Sequence, residues 1–261
     1  MDTDLKEPFL RRPEKAGLFL DFDGTLSDIA LVPSDARPVA GARDLLAALA
    51  RRFGVVAIVS GRAAEELVEW LGPEVEIWGV HGAQRALNGV IELSDVAAPH
   101  APLMRDVYRE AEKRLADLAI DGIILEDKTV MITLHYRAAA DIERARAALA
   151  DLADELVRRY GLTCGRGRHA FELRPPVELT KSAVVTRRAA EAGLEAVAFF
   201  GDDRVDLPGF DALDQLAGSG LTTLRVAVDS EEAPPELLER ADVVVDGPAG
   251  TVRFLEELLG T

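Results

Sequence analysis

Cysteine is nearly absent from this sequence, since only Cys164 occurs among 261 residues. A single thiol excludes an intrachain disulfide framework and a multi-cysteine zinc site, so we expect a reducing compartment and a cytoplasmic location. Long hydrophobic runs are also lacking. No stretch approaches the ~18 apolar residues of a membrane span, and the N-terminal segment MDTDLKEPFLRRPEK has no apolar signal core. We therefore expect no membrane partner.

Positive charge is the second scarce feature. The chain has 30 Lys and Arg residues against 46 Asp and Glu residues, for a formal net charge of −16. This balance argues against a nucleic-acid partner, and an anionic substrate would need local positive charge. The length and the 48% hydrophobic content suffice for one large or two medium domains. We expect a monomer.

Strand-like and helical patterns alternate in two separated parts of the chain, which is typical of a parallel α/β sheet. Predicted strands lie at 17–20, 55–59, 76–80, 90–93, 196–200, 223–228 and 242–245. Predicted helices lie at 40–52, 63–71, 181–192 and 210–216, and a last helix ends at Leu259. The dipeptide Asn88-Gly89 between apolar flanks predicts a tight hairpin turn.

The segment between these parts has a different pattern. It starts near Pro99 and Pro102 and ends at Pro175-Pro176. Its predicted helices are 103–119 and 140–160, and its predicted strands are 122–126, 130–135, 162–164 and 169–173. The tripeptide Gly165-Arg166-Gly167 predicts a turn between the last two strands. We therefore expect one domain at 1–101 and 176–261, interrupted by a second at 102–175.

The motif Leu18-Phe19-Leu20-Asp21-Phe22-Asp23-Gly24-Thr25-Leu26 is an apolar run that ends on two carboxylates. In an open parallel sheet, ligands bind in the crevice beyond the carboxyl ends of the strands. On a strict strand, Asp21 and Asp23 would point to the same face. A turn could also explain the Asp and Gly residues, since both are common turn formers.

Other polar residues also follow predicted strands. Ser60 comes after the second strand, and the acids Asp202, Asp203 and Asp206 come after the strand 196–200. A cluster of such carboxylates needs protonation or a bound cation, and an oxygen-only ligand set suits Mg²⁺. This apparatus fits phosphoryl transfer, with Asp21 as the nucleophile and Asp23 as the general acid and base.

Helix ends explain one of two further candidate residues, Ser60, but not the other, Lys181. Ser60 taken alone fits the N-cap of the following helix. Lys181 lies in the first turn of a predicted helix that begins near Thr180, where a positive charge opposes the helix dipole. A neighbouring phosphate would reverse that unfavourable balance, so Lys181 is a candidate phosphate ligand.

In sequence order, Asp21-Phe22-Asp23-Gly24-Thr25, Ser60, Lys181 and Gly201-Asp202-Asp203-x-x-Asp206 resemble the motifs of the haloacid dehalogenase (HAD) superfamily of phosphatases. The resemblance covers nearly the whole chain. It implies a Rossmann-like α/β core with a parallel sheet and an inserted, smaller α/β cap of the C2 type. It also implies Mg²⁺ dependence and an aspartyl-phosphate intermediate, with Ser60 and Lys181 holding the phosphoryl oxygens. The metal-binding acids would be Asp21, Asp23, Asp202, Asp203 and Asp206.

Within this superfamily, further phrases resemble the trehalose-6-phosphate phosphatase family. They are Ala57-Ile58-Val59-Ser60-Gly61-Arg62, Gly79-Val80-His81-Gly82, Glu126-Asp127-Lys128, His135-Tyr136-Arg137 and Phe171-Glu172-Leu173-Arg174-Pro175. This resemblance implies substrate binding by Gly61, Arg62 and His81, and recognition of sugar hydroxyls by Glu126, Lys128 and Glu172. A site built on such hydrogen bonds rejects analogues that lack them. Without the resemblance, Glu126 and Lys128 would read as a solvent-facing cross-strand pair.

The chain also departs from the family pattern. Val205 and Leu207 stand where the family usually has Thr and Glu, and Ser182 follows Lys181 where Gly is frequent. Another sugar phosphate, such as sucrose phosphate, mannosyl-phosphoglycerate or glucosyl-phosphoglycerate, is therefore an alternative substrate. A non-catalytic sugar-phosphate-binding regulator is a further alternative. Because the first catalytic residue is Asp21, we expect no fused synthase segment.

Overall fold

The structure is a computed structural model that describes residues 3–30, 35–167, 169–230 and 233–260. The chain divides into two compact units. We call Met1–Glu92 with Leu179–Thr261 the outer unit, and Leu93–Glu178 the inserted unit.

The outer unit contains an eight-stranded sheet in the order β12-β11-β10-β1-β2-β3-β4-β5. Its strands are β1 (Ala16–Leu20), β2 (Val55–Val59), β3 (Glu76–Gly79), β4 (Gln84–Leu87), β5 (Val90–Leu93), β10 (Ala196–Gly201), β11 (Thr222–Asp229) and β12 (Val243–Asp246). Its helices are α1 (Thr3–Arg11), α2 (Ala42–Ala50), α3 (Ala64–Leu71), α6 (Lys181–Ala192), α7 (Leu207–Gly218), α8 (Pro235–Arg240) and α9 (Gly247–Leu259). From β12 to β3 all neighbouring strands pair in parallel. The predicted α/β class with a parallel sheet is confirmed.

The central strands β1, β2 and β10 are buried at every residue, as expected for parallel strands covered on both faces. Side chains alternate along β1, so Leu18 and Leu20 pack into one apolar cluster and Phe19 packs into another. The sheet therefore has a hydrophobic core on each face, and its strand ends form a rigid base for polar side chains.

The predicted hairpin turn lies between β4 and β5. Asn88 and Gly89 have φ values of +51° and +76°, as a two-residue turn of type I′ requires at both central positions. The hairpin completes the sheet edge beyond β3.

The inserted unit has a four-stranded antiparallel sheet in the order β6-β7-β9-β8. Its elements are α4 (Ala101–Leu118), β6 (Ile124–Asp127), β7 (Ile132–His135), α5 (Ile142–Tyr160), β8 (Thr163–Gly167) and β9 (Ala170–Arg174). One face of the sheet contributes Leu134 and Phe171 to an apolar cluster that also contains Val107 of α4 and Leu149 of α5. In the described part of the chain, no helix combines the length and the apolar character needed to cross a membrane.

The predicted turn at Gly165-Arg166-Gly167 is wrong. All three residues belong to β8, where Gly165 pairs with Glu172 and Gly167 pairs with Ala170. Neither glycine has a positive φ, so neither supplies the left-handed conformation for which turns use glycine. Helices α1 and α8 and strand β4 were not predicted from the sequence pattern.

Candidate active site

Three neighbouring parallel strands, β10, β1 and β2, end at the same edge of the large sheet. The polar residues Asp202, Asp21 and Ser60 follow them directly, and all three are buried. The sequence order of strands and acids thus produces a polar cluster at the carboxyl edge, where open α/β sheets bind ligands.

Asp21 lies at the centre of this cluster and is 5% exposed. Its backbone N–H donates to the carbonyl of Phe200 at 2.9 Å, which fixes the residue against β10. Its Oδ1 lies 2.7 Å from Nζ of Lys181. Burial raises the pKa of Asp21 to about 7, although the Lys181 charge favours the ionised form. A carboxylate held by a buried ammonium group is oriented for attack on an electrophile.

Lys181 reaches the cluster from the first turn of α6. Thr180 is the N-cap of this helix, and its hydroxyl accepts a hydrogen bond from the backbone N–H of Ala183 at 3.1 Å. The ammonium group also lies 2.6 Å from Oδ1 of Asp206. Burial opposes the charge on Lys181, but Asp206 and Asp21 outweigh it and raise its pKa, so the side chain stays charged.

Asp206 connects Lys181 to the loop after β10. Its Oδ2 accepts hydrogen bonds from the backbone N–H groups of Asp202 and Asp203, at 3.0 and 3.1 Å. Asp203 in turn caps a short 3₁₀ helix, and its carboxylate accepts from the backbone N–H of Arg204. Asp206 therefore holds the loop in shape and Lys181 in place.

Asp202 packs directly over Gly24 of the first motif. A Cβ at Gly24, where φ is +75°, would lie 1.9 Å from Oδ2 of Asp202, so this position requires glycine. The hydroxyls of Thr25 and Ser230 lie 3.5 Å from the two carboxylate oxygens of Asp202. Burial, and then the charge of Asp21, raises the pKa of Asp202 to about 8.

Asp21, Asp202 and Asp206 each offer a carboxylate oxygen, and these oxygens lie within 4.8 Å of one another. All three side chains are buried. Burial is the main cause of the raised pKa of Asp21 and of Asp202, and repulsion by neighbouring carboxylates raises both values further. A divalent cation with a preference for oxygen ligands would relieve this repulsion. The residues present therefore fit a divalent cation with oxygen ligands.

The carboxylate of Asp23 lies outside this group and pairs with Arg62. The guanidinium Nε and NH2 atoms each donate to Asp23 at 2.7 Å, in a bidentate arrangement. Arg62 is 10% exposed, and its guanidinium lies 5.6 Å and 5.2 Å from the ring centroids of Phe22 and Trp70. Arg62 is held by these contacts and fixes the position of Asp23.

Ser60 is not a helix N-cap, because α3 begins at Ala64 and its N-cap is Ala63. The Ser60 hydroxyl instead accepts a hydrogen bond from the backbone N–H of Arg62 at 3.2 Å. Gly61, between them, lies beneath His81, since a Cβ there would be 2.9 Å from the imidazole ring. The structure thus brings Ser60, Gly61, Arg62 and His81 together.

The predicted sugar-binding residues lie in the inserted unit. Glu126 is on β6, and its Oε2 is 2.9 Å from Nε2 of His135 and 3.6 Å from Nζ of Lys128. The hydrogen bond from His135 lowers the pKa of Glu126, with a further contribution from Lys128. Glu172 lies on β9, separated from β6 by β7. Glu126 and Glu172 thus lie on one sheet.

Some contributors to the site were not singled out from the sequence. Thr25 and Ser230 lie beside Asp202, and only Thr25 belongs to a motif that could have drawn attention to it. The substituted positions after Asp203 have different environments. Val205 is 52% exposed, whereas Leu207 packs against an apolar cluster of the outer unit.

The parallel sheet and the acids at its carboxyl edge define the class of the protein, a HAD-like α/β fold. Two solved structures share it. A trehalose-6-phosphate phosphatase related protein aligns with a TM-score of 0.73 and 24% identity, over 94% of this chain and 98% of its own. A haloacid dehalogenase-like hydrolase from Bacteroides thetaiotaomicron aligns with a TM-score of 0.65 and 16% identity, over 93% of this chain and 99% of its own.

The family model of trehalose-phosphatase matches residues 19–240 of the sequence. The chain belongs to the trehalose-phosphatase family. Among curated relatives, the trehalose-phosphate phosphatase of Mycolicibacterium paratuberculosis is 35% identical over 253 residues. The alignment covers 92% of this chain and 61% of the relative, so the chain spans about three fifths of that protein's length.

Proposed function

We propose that this protein hydrolyses trehalose 6-phosphate to trehalose and phosphate, in a Mg²⁺-dependent reaction with an aspartyl-phosphate intermediate. The observation that carries the proposal is the buried pair of Asp21 and Lys181 at the end of β1, within a chain of the trehalose-phosphatase family. The intact nucleophile and lysine favour an enzyme over a non-catalytic regulator.

In the first step, a carboxylate oxygen of Asp21 attacks the phosphorus atom of the ester. The bond between phosphorus and the sugar oxygen breaks, and the phosphoryl group is transferred to Asp21. Lys181 and the hydroxyl of Ser60 bind the phosphoryl oxygens and stabilise the charge that develops on them. Asp23 protonates the leaving sugar oxygen, so neutral trehalose departs.

In the second step, Asp23 removes a proton from a water molecule, which attacks the phosphorus atom of the phospho-enzyme. Phosphate leaves and the carboxylate of Asp21 is regenerated. Arg62 keeps Asp23 in position through its bidentate pair. Asp23 thus acts as an acid in the first step and as a base in the second.

Asp21 and Asp202 would bind Mg²⁺, with Asp206 beside them. When bound, Mg²⁺ would neutralise part of the negative charge of the acids and of the phosphoryl group. Asp203 and Asp23 remain candidates for contact with the cation through water. The hydroxyls of Thr25 and Ser230 would orient Asp202 towards it.

We assign the chemistry to the outer unit and the recognition of the sugar to the inserted unit. Glu126 and Glu172 would accept hydrogen bonds from sugar hydroxyls, and Lys128 would donate one. Gly61 and His81 would line the phosphate end of the substrate. The number of hydroxyl contacts would distinguish a disaccharide from glucose 6-phosphate.

Phosphate release from trehalose 6-phosphate, sucrose 6-phosphate and glucose 6-phosphate tests the proposal, with Mg²⁺ and with a chelator in its place. We expect a strong preference for trehalose 6-phosphate that disappears with the chelator. A higher kcat/KM on another sugar phosphate would agree with the proposed reaction but refute trehalose 6-phosphate as the substrate. No turnover of any ester would favour the binding-protein alternative.

A further inference from the structure

The connection between β2 and α3 carries Ser60 and Arg62, and backbone hydrogen bonds hold it against the turn that follows β3. The N–H groups of Val80 and His81 donate to the carbonyls of Arg62 and Ser60, at 2.8 and 2.9 Å. Val80 and His81 both have left-handed backbone conformations, with φ values of +50° and +55°. This conformation is strained in a β-branched residue such as Val80, and such strain concentrates at functional sites. The turn therefore fixes the path of the connection.

The two segments are so close that no side chain fits between them. A Cβ at Gly79 would lie 2.8 Å from the carbonyl oxygen of Arg62 and 2.6 Å from the backbone nitrogen of Ala64. Real Cβ atoms do not approach other heavy atoms this closely, so glycine at this position lets backbone pack on backbone. The position of Arg62 is thus set by direct contact with the end of β3.

A side chain of β4 makes a further bond to the connection. The N-cap of α3 is Ala63, whose methyl group cannot accept a hydrogen bond, so the first N–H groups of this helix need acceptors from elsewhere. Gln84 supplies one of them. Its Oε1 accepts a hydrogen bond from the backbone N–H of Ala64 at 2.8 Å, and Gln84 is 5% exposed. Gln84 thus replaces the missing cap of α3.

The bond at Ala64 lies two residues from Arg62, which holds Asp23. The Arg62 side chain is 10% exposed and lies beside the rings of Phe22 and Trp70, so it has little freedom to adjust independently of its backbone. A shift of the connection would therefore move the guanidinium and, through the two bonds of 2.7 Å, the carboxylate of Asp23. Proton transfer is sensitive to displacements well below 1 Å.

We propose that Gln84 is a positioning residue of the reaction. By accepting the hydrogen bond from Ala64 it fixes Arg62, and through Arg62 it aligns the carboxylate of Asp23 with the leaving oxygen. Gln84 acts through Arg62 and not on the substrate. The proposal rests on the proposed function, because it takes Asp23 as the general acid, but it does not depend on which sugar phosphate is hydrolysed.

Two variants of Gln84 separate its acceptor from its size. Gln84→Met keeps the length of the side chain and removes the acceptor, whereas Gln84→Glu keeps an acceptor and places a favourable negative charge at the start of α3. The matched control is Gln215→Met, since Gln215 is exposed on α7.

The assay compares kcat/KM for p-nitrophenyl phosphate and phenyl phosphate, neither of which contains a sugar. This constant reports on the step in which the leaving group departs. Phenolate is more basic than nitrophenolate, so phenyl phosphate depends more on a proton from Asp23. A loss of stability lowers the amount of folded protein for both esters alike and does not change their ratio.

We expect Gln84→Met to lower kcat/KM for phenyl phosphate about fivefold relative to kcat/KM for p-nitrophenyl phosphate, the value of one lost hydrogen bond. Gln84→Glu should restore the ratio, and Gln215→Met should leave it unchanged. In a protein that already carries Arg62→Met, adding Gln84→Met should not change the ratio further, because the path to Asp23 is already interrupted.

An unchanged ratio in Gln84→Met would overturn the proposal. So would a ratio that Gln84→Glu fails to restore, or one that Gln84→Met lowers just as much in the Arg62→Met protein. Trehalose 6-phosphate is assayed in parallel. If the wild type hydrolyses the aryl esters but not trehalose 6-phosphate, the proposed substrate fails, and the ratio still decides the role of Gln84. A wild type that hydrolyses no ester would refute both proposals.

Discussion

Replacement of Asp202 by asparagine should make the folding stability of the metal-free protein less sensitive to rising pH. Asp202 is 2% exposed, and its pKa is raised from 3.8 to about 8, mainly by burial and then by the charges of Asp21 and Asp206. Near neutral pH the folded protein therefore retains a proton that the unfolded chain has released.

A carboxyl group whose pKa is raised in the folded state destabilises the protein as the pH increases. Stability is highest below the unfolded value of 3.8 and falls until the pH passes the folded value of about 8. Each pH unit inside this window costs about 1.4 kcal/mol, so Asp202 accounts for ~3 kcal/mol between about pH 5.5 and about pH 8. An asparagine side chain does not titrate, and this part of the loss should disappear.

Urea unfolding at several pH values, with a chelator present, measures the effect. The control is Asp211→Asn, which removes a largely exposed acid paired with Arg240. Wild type and Asp211→Asn should lose stability in parallel as the pH rises, and Asp202→Asn should lose ~3 kcal/mol less. Equal losses of stability in wild type and Asp202→Asn would refute the claim that Asp202 is buried and keeps its proton near neutral pH.

Two other substitutions test the geometry of the site. Arg62→Met should lower kcat on trehalose 6-phosphate more than kcat on p-nitrophenyl phosphate. Arg62 positions Asp23, and the nitrophenolate leaving group departs without a proton from Asp23. Equal losses of kcat on both esters would contradict this role of Arg62. Gly24→Ala should abolish Mg²⁺ binding measured by calorimetry, because the added Cβ would collide with Asp202. The control Gly218→Ala, whose Cβ would meet nothing within 4 Å, should bind Mg²⁺ as the wild type does. Retained binding in Gly24→Ala would place the cation elsewhere.

The central sheet could be predicted from the sequence because its strands are buried on both faces. A contiguous, β-branched apolar run such as Val55–Val59 is typical of a strand buried on both faces, and its predicted bounds match β2. Glycine was less informative. The predicted turn at Gly165 is wrong because glycine occurs in strands as well as in turns.

The convergence of Asp21 and Asp202 also followed from the sequence, since both end parallel strands. The hydrogen-bond and ion-pair partners of each side chain could not be predicted from the sequence. β1 ends at Leu20, so strand alternation does not extend to Asp23, whose carboxylate turns to Arg62. Thr133 alternates with apolar residues in β7, but the lack of a hydrogen-bond partner for its hydroxyl among the described residues depends on strand register and tertiary packing.

The mass of the peptide that contains Asp21, measured after acid quenching during turnover of trehalose 6-phosphate, tests the central claim most directly. The account predicts a fraction of the peptide that carries one additional phosphoryl group on Asp21. It also predicts that Asp21→Asn forms no such adduct and releases no phosphate. Phosphate release without an adduct on Asp21, or turnover by Asp21→Asn, would contradict the assignment of the nucleophile.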